Sequence, residues 1–500
     1  MPHPRVRLAA AAAAGLLLLT GCFADAGEPA TAGGDDRIAL AMLLPPRSGL
    51  SPFSDDAFKL SRWSTAETLV TLDAAGAAQP ALATAFAPTR DPRTWRFEIR
   101  QGVTFHDGTP LTVASVVAAL TAATEASPRP RILDGVDLTV RPDPAAPGTA
   151  VLVSTADADP LIPQRLSSPQ LSILAAGAYG ADGVVNPVGR GTGPFTLISS
   201  NTTTATLDRY DGYWGGPAEV AGIDVSFVPD GTARAAALRA GTADVVEAIP
   251  VSQAALLDAA RVHEVPMPRT NTLYLNTAKG AFADAGLRAA ARQAIKREPL
   301  VANVYEGRAD IAAGLLGPAL PWAAGARLPR TETAAKPVGG AEIVLATFTD
   351  RAELPEVAVQ LQQQLEAAGF RVRQEVREYA QIEADALAGA FDAFILSRAT
   401  VLDSGDPVAY MYSDFACAGS FNIAQLCDPA VDAALTKAAG IVAGPSRHAA
   451  IMEAERLILQ SDAAIPLLHE RVIQGESGAF TGVQRDSRER ALITAGTAPA

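Results

Sequence analysis

Two periods run through the pattern of apolar and polar positions. Around Trp95, Phe97 and Ile99 apolar residues alternate with polar ones, the period of a strand with one buried face. The apolar run 37–44 reads as a buried strand stopped by Pro45-Pro46. Residues 135–155 and 194–209 each read as two strands around a turn. Thr112 stands ahead of VASVVAAL and predicts a helix through about Leu120. A strand at 223–228, a helix at 231–239 and a short strand at 244–248 follow. A strand at 272–276 precedes expected helices at 284–295 and 298–306. Strands at 342–348, 371–377 and 391–397 alternate with helices at 354–368 and 380–389, the pattern of parallel strands joined by crossovers. Helices at 429–440 and 446–460 and a strand at 465–472 close the series. The chain thus divides into two α/β regions, roughly 37–270 and 271–475, with a β-rich insertion in the first. In open α/β sheets ligands lie beyond the carboxyl ends of strands, and a cleft between lobes is a favoured place.

Charge and motif content narrow the function. The chain carries 41 Lys+Arg against 54 Asp+Glu, a net charge of −13, and so lacks the basic balance of a nucleic-acid binder. At 48% hydrophobic and 19% charged it has the composition of a folded chain. Gly-x-Ser-x-Gly, His-Glu-x-x-His and a phosphate loop ending in Gly-Lys-Ser/Thr are all missing. His469-Glu470 is not followed by a second His, and the five histidines never cluster. Gly189-Arg190-Gly191-Thr192-Gly193-Pro194 mimics a nucleotide loop, but it precedes a strand and Pro194 blocks a helix, so a structural turn is expected.

The first residues read as an address. A short basic start (His3, Arg5, Arg7) leads into the apolar run 8–19, too short for the roughly 20 residues that span a bilayer and of the length of a signal-peptide core. Leu19-Thr20-Gly21-Cys22 resembles the bacterial lipobox, which implies cleavage after residue 21 and lipidation of Cys22. Residues 23–36 have the composition of a flexible tether. No later segment offers about 18 uninterrupted apolar residues. Acyl chains would then hold the protein to the membrane. Exported proteins meet oxidising surroundings, so Cys417 and Cys427 are expected to pair, closing a loop worth about 2.7 kcal/mol in the chain-entropy model. Neither has His or Cys partners at zinc spacing, and no metal or cofactor is implied.

A family likeness enters with specific blocks. Gln79-Pro80-Ala81-Leu82-Ala83, then Trp95-Arg96-Phe97, then Arg100-Gln101-Gly102-Val103-Thr104-Phe105-His106-Asp107-Gly108-Thr109-Pro110-Leu111-Thr112 resemble the signature of family 5 solute-binding proteins of ABC importers, the peptide, nickel and oligosaccharide receptors. Residues 187–195 resemble that family's second block, from which Arg190 and Gly191 depart slightly. Tyr210-Asp211-Gly212-Tyr213-Trp214-Gly215-Gly216 and 233–246 continue the likeness in order, and it runs from about residue 60 to 475. It implies an α/β, type II periplasmic-binding-protein fold of two lobes with a cleft and an additional β-rich subdomain in the first lobe. The expected bounds are a leader at 1–21, a tether at 22–36, lobe I at 37–60, 180–270 and 476–500, the extra subdomain at 61–179 and lobe II at 271–475. On physical grounds these blocks are structural: Gly102, Gly108 and Gly216 suit turns, His106-Asp107-Gly108 sits in one, and Trp214 packs under its loop.

The ligand signal lies in the second lobe. Asp403-Ser404-Gly405-Asp406-Pro407 follows the strand 391–397. Residues 406–417, with Asn422 and Cys427, resemble the dipeptide-binding branch, including its cysteine pair. In that branch the first aspartate holds the ligand's α-ammonium, a role the resemblance gives to Asp403, worth about 1.5–3 kcal/mol when desolvated. Asp406, with Pro407 next, reads as a helix N-cap. The branch has Trp where this chain has Thr400, which implies a wider pocket or another ligand. Arg351 follows the strand 342–348 and matches the arginine that pairs with a peptide's C-terminal carboxylate; a solvated surface arginine is the alternative. The strand end Ser397-Arg398-Ala399 can offer backbone groups to an extended peptide. Asp403, Arg351, Thr400, Arg398 and Ala399 are therefore the expected ligand contacts. The expected protein is a monomeric, lipid-anchored receptor on the outer face of the cytoplasmic membrane. It binds a peptide, closes by hinges near 268–272 and 474–480, and delivers its cargo to ABC permease subunits without catalysis. The rivals are the same receptor for a metal chelate, oligosaccharide or other small solute, an envelope hydrolase, and a structural lipoprotein.

Overall fold

The computed structural model of the protein describes residues 36–500 except 134, 181, 182, 350, 352, 402 and 403. The leader, the tether through residue 35 with Cys22, and Asp403 lie outside the described residues.

Among the described residues eleven strands share one mixed sheet. In chain order they are β1 (Arg37–Met42), β2 (Phe195–Ser200), β3 (Thr204–Arg209), β4 (Gly222–Phe227), β5 (Val245–Val246), β6 (Val262–Leu275), β7 (Ala309–Ile311), β8 (Glu342–Phe348), β9 (Arg371–Arg377), β10 (Ala393–Ala399) and β11 (Ala464–Glu476). Their spatial order is β9-β8-β10-β6-β11-β5-β1-β4-β3-β2, with β7 paired to β11. The parallel crossovers expected over 342–397 are present, since β8 runs parallel to both β9 and β10. At the other end β1 is parallel to β4 and β5. Between these halves β6 is antiparallel to both β10 and β11.

The halves have separate cores, as a two-lobed fold requires. One gathers Ile38, Phe195, Leu207 and Val225, joined by Leu492 and Ile493 from the far end of the chain. The other packs Leu273, Leu345, Phe394, Leu361, Leu435 and Ile458. A third apolar cluster, from Leu69 to Ala175, belongs to the extra β-rich subdomain. Its antiparallel sheet has the order Ala83–Pro88, Thr94–Ile99, Ala150–Thr155, Leu138–Pro142. Phe97 and Ile99 are buried there, as their alternation predicts. Thr112 caps the helix Val113–Glu125: its hydroxyl accepts from the Ser115 N–H at 3.1 Å, and Ser115 Oγ accepts from the Thr112 N–H at 2.8 Å.

Three expectations are corrected. The helix expected at 298–306 is shorter, helical from 298 to 304, and winds as a wide π turn over Leu300–Val304. β10 runs on through Arg398 and Ala399. β6 begins ten residues earlier than expected, because Pro266, Pro268 and charged neighbours hide its strand pattern. β6 and β11 are the strands that run from one half of the sheet into the other. Their register is continuous from Val262 to Pro266, shifts, and resumes at Thr270 opposite His469.

His469 is 4% exposed where the register resumes. The Thr270 hydroxyl donates to the Leu315 carbonyl at 2.7 Å, so His469 Nδ1, 2.9 Å away, donates to Thr270 Oγ1. Burial pushes the imidazole down to about 4, and Arg327 adds to the shift. A folded pKa below the unfolded value of about 6.5 makes this residue's stability complete above about pH 6.5 and lost as pH falls toward 4, a difference of about 3 kcal/mol. Wild-type thermal unfolding should therefore lose Tm steeply across that window. His469→Asn, whose amide keeps the bond to Thr270 without titrating, should show a flatter profile. Parallel profiles would mean that this imidazole is not an acid-sensitive element.

Candidate functional site

The signature blocks converge on one half-buried carboxylate. Glu67 accepts from Thr192 Oγ1 at 2.7 Å, Trp214 Nε1 at 2.9 Å and the Tyr213 hydroxyl at 3.1 Å, and burial raises its carboxyl pKa. Arg100 lies over the Trp214 ring at 4.1 Å. A Cβ on Gly191 or Gly193 would fall 1.9 Å from the carbonyl oxygens of Thr65 and Ser64, so the glycine-rich loop serves close backbone approach and not phosphate binding. His106 sits in a turn closed by Asp107 and Gly108 (φ +81°), its Nε2 2.9 Å from the Gly193 carbonyl. These residues hold the first lobe together and contribute no chemistry.

Polar groups without partners gather elsewhere, on one face of β6 and β10. Arg269 stands opposite Ala399, and Asn271 opposite Ser397. Directly opposed residues of antiparallel strands share a face. Arg269 Nε, Asn271 Oδ1 and Ser397 Oγ are all buried with no hydrogen-bond partner among the described residues. Native folds rarely leave such atoms unsatisfied, so a cluster of three marks a place built for something else to bind. Asn271 Nδ2 donates to the Tyr305 hydroxyl at 2.6 Å.

The main chain of β10 adds a second signal. The Thr400 N–H bonds the Pro268 carbonyl at 2.7 Å. Alternation along an antiparallel pair then turns the Arg398 main chain toward β6 and the N–H and C=O groups of Ser397 and Ala399 to the opposite edge. On that edge β8 pairs only as far as Phe394. Among the described residues Ser397 and Ala399 thus present an unpaired strand edge, and Arg398 does not. The Arg398 side chain is committed too: it holds Asp414 with two bonds of 2.8 Å and lies 4.3 Å from the Phe421 ring centre. Thr400, an expected ligand contact, fastens the strand end: its hydroxyl donates to Pro268 O at 3.1 Å and it is 4% exposed.

Arg351 reaches the same region. Its Nη1 bonds Glu470 Oε2 at 2.8 Å, and that carboxylate holds the guanidinium above its ordinary pKa. The charges of Arg351, Glu489, Glu470 and Arg398 all act on Arg269, whose pKa is lowered by burial and then by Arg351. The structure therefore brings together Arg351, Ala399 and the edge of Ser397, and adds Arg269, Asn271 and Glu470, which the sequence reading passed over. Arg269 lies between proline-broken segments that lack strand period, and His469-Glu470 had stood out only as a failed zinc motif. Gly76 of the hairpin turn 73–77 comes close to the backbone of Gly405.

Asp406 lies one residue outside the cap position expected for it. The helix spans Val408–Phe415 with Pro407 at its N-cap, yet Asp406 Oδ1 still accepts the Val408 N–H at 2.9 Å. Arg447, 1% exposed, grips both Asp406 oxygens and donates to the carbonyls of Ala438, Ala439 and Ile441. Cys417 and Cys427 are disulfide-bonded, as expected. Among the described residues no group of three His, Cys, Asp or Glu gathers that could hold a metal, and no helix is long and apolar enough to cross a membrane.

A two-lobed α/β fold with this face at the strand crossing has known counterparts. Residues 77–422 match the family described as bacterial extracellular solute-binding proteins, family 5 middle, and the chain belongs to that family. Its members are extracytoplasmic binding proteins, not enzymes. The glutathione-binding protein GsiB of Escherichia coli O1:K1 is 28% identical over 253 residues, a match that spans 48% of this chain and 48% of that relative. Among solved structures, a nickel ABC transporter protein from Bacillus halodurans superposes with a TM-score of 0.77 at 23% identity, covering 92% of this chain and 99% of that one. The dipeptide-binding protein of Pseudoalteromonas sp. SM9913, solved with Met-Leu, gives 0.75 at 17% identity, covering 92% and 100%. At these identities the structures establish the fold alone.

The Asp406–Arg447 pair carries a stability prediction. Asp406→Asn leaves a buried guanidinium without its counter-charge, which should cost about 3–5 kcal/mol in urea unfolding. A loss below about 1 kcal/mol would show that the carbonyls alone support Arg447.

Proposed function

We propose that the protein is a lipid-anchored receptor that binds a short peptide in the cleft between its lobes and hands it to the permease subunits of an ABC importer. The observation that carries this reading is the strand edge at Ser397 and Ala399 beside Asn271 Oδ1 and Arg269 Nε, which have no hydrogen-bond partner among the described residues. An extended peptide added to that edge would form main-chain hydrogen bonds, while neighbouring charges fix its termini. Arg351 uses one of its N–H groups on Glu470 and keeps others for a terminal carboxylate. Asp403, next to buried Ser404, is assigned the α-ammonium. Relatives named for a dipeptide and for glutathione, itself a peptide, support the class. Closure would bend β6 and β11 near Pro266–Thr270, where their pairing is interrupted. Cys22 supplies the anchor, and the receptor works as a monomer.

A charge cycle tests the peptide assignment. Asp403→Asn should weaken a free-amine peptide by about 2–5 kcal/mol, roughly 30-fold or more, with near-normal Tm. The N-acetylated peptide should bind wild type poorly and lose little further in the variant. Equal binding of the free amine to both proteins, read by calorimetry, would remove Asp403 as the anchor and put a chelate or sugar ahead of a peptide.

The anchor has its own check. Cys22→Ala should move the protein from the membrane fraction to the soluble fraction, because a lipid on that thiol is its assigned attachment. Firm membrane association of the variant would rule out the lipid anchor.

A further inference from the structure

Three guanidinium groups, of Arg269, Arg351 and Arg398, act on one another at the crossing of β6 with β10 and β11. Two are neutralised locally. Arg351 is paired with Glu470 and Arg398 with Asp414. Arg269 makes no ion pair or hydrogen bond among the described residues, and its Nε is buried without a partner. Glu470 and Glu489 attract it from beyond hydrogen-bond distance, while Arg351 and Arg398 repel it. A guanidinium held partly out of water with no hydrogen-bonded counter-charge is unfavourable, and a bound anionic group would relieve that cost.

Resting on the peptide reading, we infer that Arg269 is a specificity residue: it selects peptides that carry an acidic side chain in addition to their terminal carboxylate. Arg269 shares a face with Asn271 and Ser397 and stands directly opposite Ala399, the end of the free edge. A peptide on that edge lies one strand spacing from β10 and two from β6, about 10 Å. Alternate peptide side chains project over the face that carries Arg269. A long guanidinium side chain and a glutamate or aspartate side chain extending toward each other cover that gap, and the fork of Arg269 suits a carboxylate bidentately. An amide of the same shape offers one acceptor and brings an N–H toward a cationic site, so the geometry discriminates acid from amide.

The test compares matched peptides. Calorimetry is run on wild type with Ala-Glu, Glu-Ala and Ala-Glu-Ala against Ala-Gln, Gln-Ala and Ala-Gln-Ala. At one or more positions the acid should bind about ten- to hundredfold tighter than its amide. In Arg269→Met that acid-to-amide ratio should fall to about one, and Arg269→Lys should restore part of it. Should Arg269→Met fail to fold, the wild-type ratio and its decline in Arg269→Lys still decide the matter. Amide peptides that bind while acid and amide bind wild type equally would overturn this inference alone. So would an acid preference that survives in Arg269→Met. If none of the peptides binds, the peptide reading falls, and the selectivity for acidic peptides falls with it.

Discussion

The pairing of β6 with β11 is the constraint on which the rest of the structure depends. These strands run from the first lobe into the second, so whatever happens to their ladder happens to both halves. The ladder is interrupted between Pro266 and Thr270. Pro266 and Pro268 each lack an N–H, so regular pairing cannot continue through them. The break is then sealed on the second-lobe side by Thr270, which ties Leu315 to His469. The result is a sheet well bonded on both sides and weakly bonded at the crossing. Arg269 and Glu470 belong to this stretch, so the polar face of the candidate site coincides with the interruption in the ladder.

Around that crossing, charge is used to fix geometry. Buried ion pairs contribute little net stability, because desolvation offsets the attraction, but losing one partner is costly. Arg398 with Asp414, Arg447 with Asp406 and Arg62 with Glu247 each bind two segments distant in sequence or turn a loop. The first holds β10 against the helix Val408–Phe415, with Tyr274 also bonding Asp414 at 3.3 Å. The second pins the loop that follows β10 to the carbonyl end of the helix Pro429–Ala439. These contacts fasten the segments on either side of Ser397 and Ala399.

Much of the fold was legible in the sequence, and the reasons differ by element. Period-two alternation at Trp95, Phe97 and Ile99, the cap at Thr112 and the alternation of strands and helices over 342–397 are local signals that tertiary packing left unchanged. The start of β6 was not legible, since prolines and charges at 263–269 satisfy strand geometry only through β11. The site divided in the same way. Arg351 and Ala399 were singled out because one follows β8 and the other ends β10, at the carboxyl ends of parallel strands. Arg398 misled, because its neighbour in space, Asp414, is sixteen positions away and no local pattern announces the pair. Arg269 and Asn271 come from β6 and Glu470 from β11, two strands far apart in sequence that only the sheet order brings together.

The blocks that identify the family and the groups that would read a ligand are physically different sets. Thr192, Tyr213 and Trp214 converge on Glu67, and Gly191 and Gly193 let two backbones touch. In the second lobe the segment after β10 is fastened by Arg447 at Asp406, by the Cys417–Cys427 bond, and by Asn422, which bonds the carbonyls of Ala416 and Leu426. Such residues recur in a family likeness because they build the scaffold, and a scaffold is indifferent to the solute it carries. The groups proposed to read the ligand are instead a few side chains at the strand crossing whose polar atoms find no partner among the described residues. A sequence can therefore declare its family across most of its length and leave its ligand to three or four positions. At those positions the relevant evidence is a polar atom that the fold itself leaves without a partner.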